Sequence, residues 1–263
     1  PQRIEVRIAG FAADSEDGKN VTRILRALDK RRGIRARALG EILELDDGQD
    51  LIDDLATQIP TAAARGRGWL ARANADILIW GEIPLPGTTI RLRFLSRNEE
   101  SEDGPGMFGL AISLNLPVDF APEFDDLLYA IVLAATVPTS EGKAMTLREC
   151  LPKALETAFP VYRQLPSDLT TREKASVDAC IANVILRTGA LPGGGDPQNE
   201  AIVAYRSALE SVTREDEPLE WGLMLRNLGV LLQAQADRGG DVEALEAAAD
   251  AFRNALPVIP RER

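Results

Sequence analysis

A short peptide occurs twice near the end of this chain, and that repetition limits the possible folds more than any other feature. Ala204-Tyr205-Arg206-Ser207-Ala208-Leu209 returns 47 positions later as Ala251-Phe252-Arg253-Asn254-Ala255-Leu256, and Arg214-Glu215 returns as Arg261-Glu262. Fainter copies lie upstream. Ala158 and Tyr162-Arg163 match Ala201 and Tyr205-Arg206 at a spacing of 43, and Asn183-Val184 match Asn227-Leu228 at 44. A repeat of this length is one supersecondary unit, which cannot bury its apolar face alone and must stack on its neighbours. The drift in period predicts helix pairs joined by loops of variable length.

Apolar spacing within each unit is helical. Asp196-Pro197 supplies an N-cap and a first-turn proline, and Ala201, Ala204, Tyr205, Ala208 and Val212 follow on one face. Pro218 opens a second helix with the stripe Trp221, Leu225, Leu228 and Leu232, and Gly239-Gly240 ends it. Asp241 caps a third, whose Leu245, Ala248, Phe252 and Ala255 are expected to face inward. Upstream, Leu151, Leu155, Ala158 and Tyr162 pair with Val177, Cys180, Ile181 and Val184 on the next helix. Pro160 is expected to kink the first of these.

These units resemble the tetratricopeptide repeat, and more closely a long-period bacterial variant of it. The elements that carry the resemblance are Ala201, Tyr205-Arg206-Ser207-Ala208-Leu209, Thr213-Arg214-Glu215, Pro218-Leu219-Glu220-Trp221 and Asn227-Leu228-Gly229. They cover residues 197–263 and, more faintly, 147–190. The resemblance implies a helical solenoid that binds a protein or peptide partner.

The first half alternates strand and helix patterns. Ile4, Val6 and Ile8 alternate with Glu5 and Arg7 as a strand, and Val21, Ile24, Leu25 and Leu28 form a helical stripe that Gly33 closes. Ile34, Ala36 and Ala38 give a second strand. Leu51, Leu55 and Ile59 start a second helix, which Pro60 is expected to break before helix resumes over 62–74. Ile77-Leu78-Ile79-Trp80 is apolar on both faces, as suits a central strand covered on both sides. Ile90, Leu92 and Phe94 form its hairpin partner. Leu110, Ile112, Leu114 and Leu116 form a fifth strand, and a helix follows from Pro122 with Phe124, Leu127, Leu128, Ile131 and Val132. The expected fold is therefore an α/β domain with a mixed sheet over 1–140, followed by an all-α, tetratricopeptide-like domain over 141–263. A polar linker is expected at Val137–Lys143.

Residues 3–135 resemble the amino-terminal domain of TolB and the related domain that precedes tetratricopeptide repeats in some bacterial cyclase-like proteins. Ile4–Phe11, Ala75-Asp76-Ile77-Leu78-Ile79-Trp80-Gly81-Glu82-Ile83 and Thr89–Leu95 carry the likeness, with Gly10-Phe11 where that family has a Pro-Phe turn. The resemblance implies a fold and a binding role, and brings no catalytic signature.

Composition narrows function by exclusion. The chain has no histidine, which removes Ser-His-Asp and Cys-His nucleophiles and imidazole metal sites. Cys150 and Cys180 are too few for a zinc cage or a disulfide scaffold, and read as reduced core residues. A net charge of −11 with 5% aromatic residues does not suit a phosphate backbone, so no nucleic-acid partner is expected. No apolar run is long enough for a transmembrane helix, so no membrane insertion is expected of this segment. The segment opens on Pro1 and stops within a repeat at Arg263, and reads as a piece of a longer, cytoplasmic protein.

Charge runs offer two readings. Arg23, Arg26, Lys30, Arg31, Arg32, Arg35 and Arg37 crowd into one stretch, and seven acidic residues follow in Glu41–Asp54. They read as solvated faces that balance each other, or as a dock for an anionic ligand. Asp14–Gly18 and Asn98–Gly106 read as solvated loops. The glycines Gly66 and Gly68 follow no strand and make no phosphate loop.

Function is expected to be non-catalytic and regulatory: a sensor or scaffold region without cofactor or metal, binding a protein or peptide through its repeats. Arg163, Arg206 and Arg253 recur beside Tyr162, Tyr205 and Phe252, and Asn183 and Asn227 recur on the alternate helices. These five are the candidate binding residues, expected to line up as a polar ladder for acidic peptide groups. The alternative, from a different class, is an α/β domain that senses a nucleotide or other anion and regulates an attached effector domain.

Overall fold

The computed structural model describes residues 2–11, 18–44, 51–99, 106, 108–109 and 112–259, without the side chains of 51–57 and 59. The elements run β1 (Ile4–Gly10), α1 (Lys19–Leu28), β2 (Ile34–Ile42), α2 (Leu51–Arg72), β3 (Ile77–Glu82), β4 (Thr89–Ser96), β5 (Ser113–Pro117) and α3 (Phe124–Ala135). Then come α4 (Glu141–Arg163), α5 (Thr171–Thr188), α6 (Pro197–Leu209), α7 (Pro218–Gly239) and α8 (Val242–Ala255). The chain is thus a mixed α/β unit followed by helices.

The strands lie in the order β2-β1-β3-β4-β5. β1 is parallel to β2 and β3, and β4 is antiparallel to β3 and β5. Side-chain alternation divides the apolar residues between two layers. Ile4, Val6, Ile8, Ile77, Ile79, Leu92 and Leu114 share one face with α1 and α3. Leu78, Trp80 and Leu95 take the other, beneath Ala62, Ala63 and Leu70 of α2. β3 is buried along both faces because each is covered.

The first of these layers does not stop at α3. It continues through Leu155 of α4 and Val177 of α5 to Tyr205, Met224, Leu232 and Ala248, so sheet and helices share one core. Ser140, at the expected boundary, is the N-cap of α4. The residues around it are pinned instead of forming a loose linker. Val137 N–H donates to Ser96 Oγ at 2.9 Å, and Asn98 Nδ2 donates to the Pro138 carbonyl at 3.0 Å. Thr139 Oγ1 and Lys143 Nζ both donate to Oδ1 of the fully buried Asp76, at 2.6 and 2.7 Å.

Helical side chains also seal the sheet's far edge. An edge strand leaves alternate N–H groups unpaired. On β5, Ser113 N–H donates to Glu220 Oε1 of α7, and Asn115 N–H donates to Ser176 Oγ of α5 at 2.9 Å. The Cys180 thiol donates to the Ser113 carbonyl at 3.6 Å.

Two sequence expectations are corrected. α2 runs through Pro60, where a break was expected; α4, expected to kink at Pro160, stays helical through Pro152 and Pro160. An interior proline forfeits one backbone bond and costs about 3 kcal/mol. The faces that these helices bury, such as Cys150, Leu151, Ala154, Leu155 and Ala158 of α4, offset it. α1 ends at Leu28, before Gly33. Asp14–Asp17, Glu100–Pro105, Leu110 and Arg261-Glu262 lie outside the described residues, as do the side chains of Leu51, Leu55 and Ile59.

Candidate interaction surface

The five residues expected to form a ladder divide into two kinds. Asn183 of α5 and Asn227 of α7 have no exposed surface, nor has Tyr205 of α6 between them. Tyr205 O–H donates to Asn183 Oδ1, and Asn227 Nδ2 donates to the Tyr205 hydroxyl at 3.0 Å. One buried polar cluster therefore ties three helices together. This corrects the expectation that the asparagines line a groove: each faces the aromatic residue of the intervening helix, 22 positions away.

The arginines are on the surface and apart from that cluster. Arg163 pairs with Glu200 on α6 at 3.0 Å and lies over the Phe159 ring at 5.4 Å. Arg253 pairs with Asp250 one turn earlier on its own helix, and Arg206 is exposed. No single site gathers the five. A second tie joins α4, α5 and α6, where Asp178 accepts from Ser207 Oγ at 2.7 Å and hydrogen-bonds Tyr162. Burial pushes the Asp178 carboxyl up, against these two hydroxyl bonds that favour its charge.

The 47-residue correspondence exposes a difference between α6 and α8. Gln198, Ile202, Tyr205 and Leu209 of α6 correspond to Leu245, Ala249, Phe252 and Leu256. The α6 set meets α7: Gln198 Nε2 donates to the Leu231 carbonyl at 3.0 Å, Tyr205 bonds Asn227, and Ile202 is buried. Of the α8 set, Phe252 packs back on Gly229 of α7, whereas Leu245, Ala249 and Leu256 are exposed. Leu245 is 51% exposed and Leu256 59%, and Val242, one turn before Leu245, is 66% exposed. Leu245, Ala249, Phe252 and Leu256 are spaced i, i+4, i+7, i+11, so they form one helical stripe.

Leu245 is therefore not inward, as the sequence reading expected. α8 packs on α7 through Ala244, Ala248, Ala251 and Ala255, a row about 100° away around the helix. Phe252 of the Leu245 stripe also packs on α7: a β-carbon on Gly229 would lie 2.8 Å from its Cε1, so the ring would have to shift to admit a larger residue. Seven large apolar side chains are exposed among the described residues; two of them, Val242 and Leu245, are on α8 and a third, Leu256, is its C-cap.

Two further buried ionisable groups, Glu220 and Cys180, face the edge strand β5. Burial raises the Glu220 carboxyl, offset in part by the Ser113 N–H bond, and burial raises the Cys180 thiol. No cluster of three metal-ligating side chains occurs among the described residues, and none of their helices is long and apolar enough to cross a membrane. No family model matches the chain, and no curated protein or solved structure does.

Proposed function

We propose that this chain is a non-catalytic adaptor in which α8, the last of the described helices, receives an amphipathic helix of a partner protein. The observation that carries this reading is the internal equivalence of α6 and α8. Leu245 and Ala249 of α8, the equivalents of Gln198 and Ile202 of α6, stand exposed and apolar. A helix laid along this stripe would remove Val242, Leu245 and Leu256 from water, each worth about 1.5–3 kcal/mol when fully buried. Recognition through i, i+4, i+7 anchors is a standard helix-in-groove mode. A tetratricopeptide-like array and a regulatory role belong to this proposal.

A synthetic peptide of residues 218–239 tests it, because that sequence already seats on the equivalent face of α6. Fluorescence anisotropy should show the labelled peptide binding the intact protein. Leu245→Asp with Leu256→Asp should weaken binding about tenfold or more, and Val203→Asp, at an exposed position on α6, should not. Equal binding by all three proteins would overturn the reading.

A further inference from the structure

The basic run is solvent-exposed over most of its length, and part of it lines a cleft. Arg3, Arg26, Lys30, Arg31, Arg32 and Arg35 converge on one cleft of about 620 Å³, between the end of α1 and the start of β2. A second cavity of about 390 Å³ shares Arg3 and Arg35 with it and adds Lys143. The floor of the larger cleft is apolar, with Leu25, Leu28, Ile34 and Ala36, and its one acidic lining residue is Asp29.

Half of these cations are already compensated. Arg31 pairs with Asp126, Arg35 with Glu5, and Arg32 with Glu149 at 3.4 Å. Arg3, Arg26 and Lys30 have no carboxylate partner among the described residues. Unbalanced positive charge thus sits in a concavity of a chain whose net charge is −11.

The rim is rigid. Tyr129 O–H donates to the Arg32 carbonyl at 2.5 Å, and Ile4 N–H donates to the Gly33 carbonyl at 2.8 Å. Gly33 takes φ +79°, and a β-carbon there would lie 2.7 Å from Thr146 Cγ2 and 2.8 Å from Cys150 Sγ. The turn is therefore clamped against α4, and Lys30 is held at φ 60°.

A helix C-terminus ordinarily repels anions, because its last carbonyls are unpaired. At α1 they are engaged. The Arg26 carbonyl accepts from Asp29 N–H at 3.2 Å, the Ala27 carbonyl from Arg31 Nε at 3.1 Å, and the Leu28 carbonyl from Arg31 N–H at 3.4 Å. Three of the last carbonyls are thus paired within the protein.

We infer that this cleft binds a small polyanion carrying adjacent phosphate groups, a di- or triphosphate. Five of the six cations are arginines, whose planar forks match phosphate oxygens bidentately. The three unpaired cations call for a ligand with several charges, and the cavity volume is that of a small-molecule site. This site is independent of the α8 surface.

Isothermal titration of the full chain at low salt, with inorganic pyrophosphate, tripolyphosphate and ATP as separate probes, tests it. The wild type should bind at least one probe. Combining Arg3→Ala, Arg26→Ala and Lys30→Ala should weaken that binding about tenfold or more, with the thermal midpoint of the unliganded protein unchanged. Asp29→Asn should tighten it. Equal affinity for tripolyphosphate and ATP would assign recognition to the phosphates alone, and tighter ATP binding would add the apolar floor. Absence of binding at millimolar probe, or binding that none of these substitutions alters, would overturn the inference.

Discussion

The Oε1 atom of Glu220 on α7 accepts both the backbone N–H and the hydroxyl of Ser113 on β5, at 3.0 and 3.1 Å. One side chain from the helices therefore completes the hydrogen bonding of the sheet's edge strand. Glu220→Ala should cost about 1–3 kcal/mol, because Ser113 N–H would be buried without an acceptor. Glu220→Gln keeps an acceptor and should cost less. Urea unfolding of the three proteins measures the difference.

The same carboxyl gives a pH dependence with a definite sign. Burial raises its folded-state pKa above the usual 4.5. Its favourable contribution is full below that unfolded value and is lost as pH rises through the folded one. Wild type should therefore gain stability relative to Glu220→Gln as pH falls from 7 toward 4.5. A gap that is constant with pH would show that Glu220 titrates normally.

Tyr205→Phe should destabilise the protein by about 1–3 kcal/mol, since Asn183 and Asn227 would lose a partner in a fully buried setting. Arg206→Glu, at an exposed position, should change stability by no more than about 0.5 kcal/mol. Parallel thermal melts compare the two.

Asp76→Ala should cost about 3 kcal/mol or more, because it strips Lys143 of its ion-pair partner. Trypsin should spare the Lys143 bond in the wild type, where Ser140 caps α4 and Asp76 holds the lysine. It should cut there in the variant. Ready wild-type cleavage at Lys143 would show that this segment is a loose linker after all.

What the sequence revealed followed from periodicity. Ile4, Val6 and Ile8 alternate because one sheet face is buried, and Ile77-Leu78-Ile79-Trp80 is continuous because β3 is covered twice. Both patterns survive without knowledge of partners. Recurrence of Asn183 and Asn227 was equally visible, but recurrence marks internal ties and surface ladders alike, and only burial separates them. The common spacing of Asn183, Tyr205 and Asn227 was the available clue. α8 carries two adjacent apolar rows, and periodicity cannot tell which one is partnered. In the structure the alanine row is the buried one, with Phe252 of the other row packed on Gly229. The clustering of Arg3 with Arg26 and Lys30 depends on β1 lying beside β2, which no local pattern announces.

Hydrogen–deuterium exchange with and without the 218–239 peptide tests the role of α8 most directly. Slower exchange confined to residues 242–256 is expected, and Leu245→Asp with Leu256→Asp should abolish it. Unchanged exchange along α8 in the presence of bound peptide, or protection centred on another helix, would contradict it.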